Sequence, residues 1–462
     1  MLNCFIQDTE EKIIPIVPIC QDDFSAWLDG EPLRVKNIVS NNKFLAKPGG
    51  FCLLIDNDGN LEKVFLGIKE KDDLFSFGAL PKALPKGCYN ILAEGFSPEQ
   101  LEKAAIGWGM GSYQFDRYKK PEELGVVLLC RESFNLGRLN TIVSSIFLVR
   151  DLINTPAGDL YPEKLAEVTA NLANEFQADL KVIKGEELAA EFPAVHAVGK
   201  ASKNKPVLID LTYGDPKNTK IVLVGKGVCF DSGGLQIKPS SAMPSMKKDM
   251  AGAAHSLGLA RMIMGLKLPV NLRVIIPAVE NLISGDELKP GDVIKTRKGI
   301  TLEIANTDAE GRLILADALT LASEWQPELI LDFATLTGAA HVALGSDIVA
   351  LFANDDQVAA EIIENMEREG EPVWQMPLYQ PYLEALKSEL ADLRNIPVTK
   401  NIGGGAITAA LILQQFVTPE VKWAHFDMYA YNDVNKPAKP KGGEAMCLRG
   451  VFSYLEKLLV AG

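Results

Sequence analysis

The sequence has few of the residues on which common metal and redox sites depend. It contains four histidines in 462 residues, and none of them lies in an HExxH segment, which excludes the usual histidine-rich zinc protease site. Seven cysteines are scattered along the chain without a CxxC pair, so zinc-ribbon and dithiol redox motifs are also absent. A metal site in this chain would therefore use mostly oxygen ligands.

Excess positive charge and long apolar runs are missing as well. The formal net charge of -13 argues against nucleic acid or an anionic membrane as the main partner, because such binding depends on Lys and Arg. No apolar run approaches the ~18 residues of a membrane span, and the N-terminus has no basic segment before an apolar one. The odd, scattered cysteines suit a reducing compartment. We therefore predict a cytoplasmic protein.

The length and the local patterns predict two α/β domains joined by a helix. Chains of this size hold roughly 100 to 200 residues per domain, and we favour a small N-terminal α/β domain over residues 1–135. Within it, Asp58-Gly59 predicts a hairpin between two apolar segments, and Ser97 with Gln100 predicts a capped helix start. Helically spaced apolar residues predict a connecting helix over 136–156, and residues 157–462 form the larger C-terminal domain.

In the C-terminal domain, candidate strands alternate with candidate helices. This alternation predicts a mainly parallel central sheet covered by helices, in which ligands bind beyond the carboxyl ends of the strands. The predicted strands are Ile221–Val224, Leu272–Ile276, Leu302–Ala305, Leu329–Phe333, Ile348–Phe352 and Trp423–Met428. The predicted helices include Ser245–Leu266, Arg312–Trp325, Gln357–Arg368 and Ala406–Phe416.

Four acidic residues in two segments supply the candidate chemistry. Asp308 and Glu310 are two positions apart, so in an extended loop both carboxylates point to the same side. Asp231 and Asp249 follow an upstream strand and add two more carboxylates. Four crowded carboxylates would repel one another unless cations neutralised them. Two divalent ions would balance them, bridge a water molecule and polarise a carbonyl oxygen, which indicates hydrolysis.

Three cationic residues accompany these carboxylates. A lysine beside a dication is disfavoured in its charged form, so Lys226 or Lys238 is a candidate metal ligand, and whichever stays protonated can face a developing oxyanion. Arg312 remains charged and can hold an anion such as a carbonate or a substrate carboxylate in its planar fork.

Together these segments resemble the leucyl (cytosol) aminopeptidase family of dinuclear metallo-exopeptidases. The likeness extends from about Trp108 to the C-terminus. Its most specific segment is the eight-residue run Asn306–Leu313. The other segments are Val224–Pro239, Met246–Met250, Val279–Asn281, Lys289–Asp292 and Asp332–Ala339.

The resemblance implies a role for each of the matching residues. Asp231 and Glu310 would bridge both metals, Lys226 and Asp249 would complete the tighter site, and Asp308 would serve the more exchangeable one. Lys238 would stabilise the tetrahedral oxyanion, and Arg312 would hold a bicarbonate that acts as general base towards the metal-bridging water. The family further implies a homohexamer of paired trimers acting on short peptides with a free N-terminus.

The pocket for the first side chain is the part that departs from the family pattern. Matching residues place Met246, Thr335, Leu336 and Gly338 on its wall. After His425-Phe426-Asp427, where the family commonly has a small Ala-Gly segment, this chain has Tyr429 and Asn432. These two residues are expected to narrow or polarise the pocket, so a simple leucine preference is not expected.

Other interpretations remain open at this point. Two-metal sites also serve phosphoesterases, and some relatives of this family act as DNA-binding accessory or regulatory proteins. Oxygen-rich sites accept zinc, manganese or magnesium. Cys229 is expected to be a buried structural thiol, and His255 and His341 to be packing or surface residues. Asp317 either supports the site or makes a local helix contact.

Overall fold

The computed structural model describes residues 2–92, 94–131, 134–398 and 402–460, which fall into two compact units. The first unit lies within residues 1–147 and 432–442, and the second within residues 148–431 and 443–462. The sequence-based division assigned 432–442 to the C-terminal domain. In the described part of the chain, no helix is both long enough and apolar enough to cross a membrane.

The first unit is built on a six-stranded sheet in the order β1-β6-β5-β2-β4-β3. Its neighbouring strands are parallel except β3 and β4, which form the antiparallel hairpin predicted around Asp58-Gly59. Ser97 caps α4 in the predicted capping box with Gln100. The strands are β1 Phe5–Ile6, β2 Ile13–Cys20, β3 Phe51–Ile55, β4 Leu61–Ile68, β5 Gly87–Ile91 and β6 Val126–Leu129. The helices are α1 Phe24–Gly30, α2 Leu33–Asn41, α3 Leu74–Phe77 and α4 Pro98–Gly111, and a 3-10 turn at Gln21–Asp23 precedes α1. The next helix, α5 Leu136–Asn154, begins within the residues of the first unit and ends within those of the second.

The second unit contains a nine-stranded sheet, with the order β16-β15-β18-β14-β9-β11-β8-β7 and with β10 paired to β11. The centre of this sheet is parallel, as predicted, and antiparallel pairs occur towards both edges. The strands of this sheet are β7 Asp179–Lys184, β8 Val207–Gly214, β9 Lys220–Gly225, β10 Gly227–Asp231, β11 Asn271–Asn281, β14 Leu329–Ala334, β15 Val349–Ala353, β16 Val373–Gln375 and β18 Lys422–Asp427. A three-stranded sheet consists of β12 Val293–Lys295, β13 Thr301–Glu303 and β17 Leu393–Arg394. A two-stranded sheet consists of β19 Tyr431–Asn432 and β20 Gly442–Gly443, where the chain enters and leaves the segment 432–442.

Helices cover this sheet through apolar faces. The buried side chains of α10, α13 and the central strands form one continuous hydrophobic core. The helices are α6 Pro162–Phe176, α7 Gly185–Glu191, α8 Pro193–Gly199, α9 Ala251–Gly265, α10 Gly311–Glu324, α11 Gly338–Leu344, α12 Asp356–Arg368, α13 Gly405–Gln414 and α14 Leu448–Val460. Two 3-10 helices span Met243–Met250 and Gln380–Leu386.

Two sequence-based assignments differ from the structure. The strand predicted at Leu302–Ala305 is shorter, Thr301–Glu303, and lies in a separate three-stranded sheet, β12-β13-β17. The helix predicted to begin at Ser245 starts as the 3-10 helix Met243–Met250, and α9 begins only at Ala251. The loop that carries Asp308 and Glu310 therefore does not follow a strand of the main sheet.

Candidate active site

Parallel strand ends bring the first set of polar residues together. Lys226 follows β9, Asp231 ends β10, and Thr335 follows β14. Because these strands belong to the parallel part of the sheet, their carboxyl ends lie at one edge. The 3-10 helix Met243–Met250 contributes Asp249, which accepts hydrogen bonds from Lys226 Nζ at 2.8 Å and Thr335 Oγ1 at 2.8 Å.

The loop before α10 supplies two more carboxylates to the same place. Oxygen atoms of Asp231, Asp308 and Glu310 lie within 4.8 Å of one another. Lys226 Nζ is 2.9 Å from Glu310 Oε1, and Lys238 Nζ is 2.7 Å from Asp231 Oδ2 and also contacts Asp308. The five residues expected to be metal ligands, together with Lys238, are therefore gathered into one cluster.

Among the described residues, three buried carboxylate oxygens of this cluster have no hydrogen-bond partner, Asp249 Oδ2, Asp308 Oδ1 and Glu310 Oε2. The Lys238 ammonium contacts Asp308 Oδ1, which leaves Asp249 Oδ2 and Glu310 Oε2 open. A buried carboxylate oxygen left without a donor costs free energy, so the arrangement is complete only with a further positive group. Hard and borderline divalent ions prefer carboxylate oxygens, and these residues fit such ions.

Burial and mutual charge shift the pKa values of the cluster. Burial raises the pKa of Asp249 to about 6, against the lowering effect of Lys226. Burial and the neighbouring Glu310 raise the pKa of Asp231 well above its usual range. For Glu310, burial is outweighed by Lys226 and Lys238, which lower its pKa. Repulsion between the buried carboxylates thus raises their pKa values, and the nearby lysines lower them.

The two lysines have raised pKa values in this arrangement. Burial lowers the pKa of Lys226, but Asp249, Glu310 and Asp231 outweigh burial and raise it. Lys238 is affected in the same way, with Asp231 as the main raising charge. The lowered lysine pKa expected from the sequence depends on a dication beside the amine, whereas here the lysines face the carboxylates directly.

Side-chain hydrogen bonds, to side-chain and backbone partners, fix the two loops that carry the expected ligands to each other. Asn281 Nδ2 donates to Asp231 Oδ1 at 2.8 Å and to the Thr307 carbonyl at 3.1 Å. Thr307 and Gln236 bond reciprocally, from Thr307 N to Gln236 Oε1 at 2.6 Å and from Gln236 N to Thr307 Oγ1 at 2.9 Å. Sequence reasoning did not select these residues, although Asn281 is a polar residue at the carboxyl end of β11.

Glycines allow the backbone to approach the cluster closely. A Cβ at Gly311, the first residue of α10, would lie 2.8 Å from Lys226 Cε. Gly233 has a φ of +87° next to Asp231 and donates its N–H to Asp231 Oδ1 at 2.8 Å. A residue with a side chain would be strained at Gly233 because of the positive φ, and at Gly311 it would displace Lys226.

The cluster forms one end of a cavity of about 400 Å³. Five of the six residues expected in the substrate pocket line it, namely Met246, Thr335, Leu336, Gly338 and Tyr429. Lys248 and His341 line it as well, so His341, expected at the surface or in packing, takes part in the cavity wall. The sequence signal that could have pointed to Lys248 was its position next to Asp249, an expected metal ligand.

Two of the expected site residues are not among those lining the cavity. Arg312 is buried, and its Nη1 donates to the Asn395 carbonyl at 2.6 Å. Burial lowers the pKa of this guanidinium to about 10, against the raising effects of Asp427 and Glu310. Asn432 is buried, and its side chain donates to the Pro440 carbonyl at 3.1 Å.

Two family models match the chain. The model of the "cytosol aminopeptidase family, catalytic domain" matches residues 147–452, and the model of the "M17 aminopeptidase, N-terminal domain" matches residues 14–129. A probable cytosol aminopeptidase of Chlamydia trachomatis serovar D is 38% identical over 462 aligned residues, covering 92% of this chain and 91% of the relative.

Solved structures give the same result. The cytosol aminopeptidase of Coxiella burnetii superposes with a TM-score of 0.95 at 47% identity, covering 99% of this chain and 100% of that one. A bottromycin maturation enzyme in complex with Mn has a TM-score of 0.87 at 33% identity, covering 96% of this chain and 99% of that one.

The fold, the carboxylate-rich cluster and these matches define a metal-dependent hydrolase of peptide bonds. The likeness covers both units. The chain belongs to the cytosol aminopeptidase family, whose members remove N-terminal residues from peptides.

Proposed function

We propose that this chain hydrolyses the N-terminal residue of short peptides with a free α-amino group, using two divalent ions per subunit. The observation that carries the proposal is the pair of buried, unpartnered oxygens of Asp249 and Glu310 beside the Asp231, Asp308 and Glu310 cluster. Lys226, Asp231, Asp249, Asp308 and Glu310 would hold the ions, which could be zinc, manganese or magnesium. Bound ions would polarise the scissile carbonyl and acidify a bridging water.

Lys238 is proposed to stabilise the tetrahedral oxyanion. Its ammonium lies 2.7 Å from Asp231 and contacts Asp308, so it is held among the expected ligands. Its raised pKa keeps it protonated at neutral pH. A fixed ammonium at this position can donate to the oxygen on which negative charge develops, and such a preorganised donor favours the transition state over the ground state.

Arg312 is proposed to hold a bicarbonate that accepts the proton of the attacking water. Its hydrogen bond to the Asn395 carbonyl holds the guanidinium, and its pKa is affected by the charge of Glu310, a member of the cluster. A planar guanidinium matches a carbonate in a bidentate manner. We expect the rate of the wild type, but not of an Arg312→Met variant, to rise with added bicarbonate at constant pH and ionic strength. A bicarbonate response retained by the variant would remove this role.

We propose that the first side chain of the substrate occupies the part of the cavity lined by Met246, Thr335, Leu336, Gly338 and Tyr429. Asn432 does not line the cavity and is left out of this proposal. We also propose a cytoplasmic homohexamer. The support is the family membership, the names of the relatives and seven free cysteines. Light scattering that gives a mass near 50 kDa at micromolar protein would contradict the hexamer.

Initial rates on X-Gly dipeptides test the proposed activity. Metal-stripped protein should be inactive, and added Mn²⁺ or Zn²⁺ should restore release of X from free dipeptides but not from their N-acetylated counterparts. Cleavage of acetylated substrates would indicate an endopeptidase, and cleavage of phosphate esters alone would indicate a phosphoesterase. Absence of cleavage with every metal would refute the proposal.

A further inference from the structure

A second cavity, which we call the edge cavity, lies at one border of the nine-stranded sheet. It has a volume of about 660 Å³ and is lined mainly by residues of α6, of β7 and of the loop that leads into β8. β7 is the last strand in the order of this sheet, and in the described part of the chain its strand partner is β8 alone. No residue lines both the edge cavity and the cavity that holds the carboxylate cluster, so the two are separate.

Small and apolar side chains form one part of this lining. Ala166 and Ala170 are four residues apart in α6, so they lie on the same face of the helix. On the sheet, Lys184 pairs with Val207, and Val182 is two residues before Lys184, so these three side chains share one face. Because the two alanines are short, the space between the helix and the strands stays unfilled. An apolar group that entered it would be removed from water, which is favourable.

Three lysines form another part of the lining, Lys184 on β7 and Lys203 and Lys205 on the loop before β8. All three are exposed, and among the described residues none of them forms a salt bridge with a carboxylate. Lys205 Nζ donates to the Lys200 carbonyl at 3.1 Å, which is an uncharged acceptor. Burial lowers the pKa of the nearby His196, and the charges of Lys200 and Lys205 lower it further. This region is therefore locally positive, although the chain carries a net charge of -13.

The acidic residues of the lining have other roles. They are Glu163 and Glu167, and both belong to α6. Glu163 lies in the first turn of the helix, where the helix dipole favours a carboxylate. Glu167 accepts from Lys164 Nζ at 2.8 Å. The acids are thus confined to the helix, and the three lysines to the strand and the loop.

We propose that the edge cavity binds a small organic anion with an apolar chain, such as a medium-chain carboxylate. The chain would cover the apolar lining of α6 and the sheet, and the charged head would meet the ammonium groups of the three lysines, which are strong donors to a carboxylate. A neutral apolar molecule lacks the head and a simple anion lacks the chain, so both parts are required. The inference goes beyond the proposed aminopeptidase activity and does not depend on it.

Titration calorimetry of the metal-loaded protein with octanoate tests this, with octan-1-ol and hexanoate as matched probes. We expect octanoate to bind at one site per chain. It should bind about tenfold more tightly than octan-1-ol, because an exposed ion pair contributes up to about fivefold and more than one lysine is available. It should also bind about tenfold more tightly than hexanoate, which buries two fewer methylene groups.

Variants locate the bound anion. Lys184→Ala combined with Lys203→Ala should weaken octanoate binding by about tenfold and leave the affinity for octan-1-ol unchanged. The matched control is Lys181→Ala, which removes a lysine of the same strand that pairs with Glu187 at 2.8 Å and does not line the edge cavity. This control should keep the Kd of the wild type. Ala170→Phe places a ring in the edge cavity and should abolish binding of both octanoate and octan-1-ol.

Three results would overturn the inference. The first is an equal affinity for octanoate and octan-1-ol, or an octanoate affinity unchanged in the double lysine variant. The second is octanoate binding that disappears when the metal is removed, since the anion would then bind at the carboxylate cluster. The third is absence of octanoate binding to the wild type, which is the result expected if a second copy of the chain covers the edge cavity. None of these results bears on the aminopeptidase proposal, because hydrolysis of Leu-Gly is measured separately and should have the wild-type kcat/KM in all these variants.

Discussion

Buried carboxylates in the core and in the cavity of the second unit are satisfied in different ways. In the core, both oxygens of Asp332 accept hydrogen bonds, from His425 Nδ1 at 2.5 Å and Trp423 Nε1 at 2.5 Å. Asp317 accepts from the backbone N–H groups of Ala194 and Val195 on one oxygen and of Arg297 on the other. These carboxylates need nothing further.

In the cavity, Asp249 and Glu310 each leave one buried oxygen without a donor. Burial of an unsatisfied polar atom is costly, and proteins keep such atoms where a ligand will satisfy them. The contrast separates structural from functional acids more clearly than burial does, since both kinds are buried. It also answers the question left open for Asp317, which fixes the start of α8 and the residue Arg297.

The largest effect is expected from Glu310→Gln. In the proposed metal site an amide would not replace the carboxylate of Glu310, so metal content should fall, and kcat/KM on X-Gly dipeptides should fall by more than about 100-fold, since residues that only orient metal ligands already contribute about 10- to 100-fold. Metal analysis by mass spectrometry and initial rates measure both. Glu303, on β13, accepts a hydrogen bond from Arg394 and does not line the cavity. The control variant Glu303→Gln should therefore keep the metal content and the kcat/KM of the wild type. Full metal content in Glu310→Gln would contradict the assignment of its open oxygen.

On the structural side of the comparison, Asp332→Asn should destabilise the fold without changing the site. An amide leaves one of the two buried donors facing an NH₂ group, and a buried donor without an acceptor costs about 1 to 3 kcal/mol. Urea denaturation followed by circular dichroism measures the loss. Glu175→Gln, which breaks a more exposed pair with Arg261, should cost about 1 kcal/mol or less. Equal losses in the two variants would remove the distinction.

His255 extends the comparison to a neutral group. Its Nδ1 donates to the Ala251 carbonyl at 2.7 Å, and its Nε2 accepts from Met446 N at 2.9 Å, so both ring nitrogens are satisfied only in the neutral form. Burial lowers its pKa from 6.5 to about 4. Because the unfolded chain takes up the proton first, this residue's contribution to stability is lost as the pH falls from 6.5 to 4.

The measurement is the free energy of unfolding at pH 7 and pH 5. His255→Gln should lose about 2 kcal/mol less than the wild type over that interval, from the difference between the two pKa values. His196→Gln replaces a half-buried histidine whose pKa burial also lowers, so its loss should fall between that of His255→Gln and that of the wild type. Identical pH dependence of His255→Gln and the wild type would show that the imidazole does not stay neutral.

Local patterns predicted most of the fold because the elements carry their own signals. The apolar strands of the main sheet, the hairpin at Asp58-Gly59 and the box at Ser97 depend on residues close in sequence. The strand at Leu302 was assigned to the wrong sheet because an apolar alternation does not say which partner a strand finds. The start of α9 was misplaced because Met243–Met250 forms a 3-10 helix, which carries Asp249 to Lys226.

The functional site likewise contains residues that the sequence predicted and residues that only the fold brings together. Acids and lysines were selected from their chemistry and from a resemblance covering most of the chain, and the structure gathers the expected ligands into one cluster. The residues that hold the loops together were missed, because Gln236 contacts Thr307 and Asn281 contacts Asp231 across long separations in the sequence. Lys248 and His341 were missed as wall residues because their stack on Tyr429 exists only in three dimensions.

The smallest expected effect concerns one of these missed residues. Asn281→Ala removes the amide that joins Asp231 Oδ1 to the Thr307 carbonyl, so Asp231 loses a donor and the two ligand loops lose a link. Residues that orient metal ligands typically contribute 10- to 100-fold to affinity. Because Gly233 N still donates to Asp231, we expect the Mn²⁺ affinity of the variant to be about tenfold weaker. Competition with a chelating dye measures this affinity. Asn204→Ala, which removes a donor to Glu280 Oε2, is the matched control and should stay within about twofold. Equal affinities in both variants would mean that Gly233 and the Thr307-Gln236 pair suffice to hold the loops, and that the open oxygens of Asp249 and Glu310 set the affinity alone.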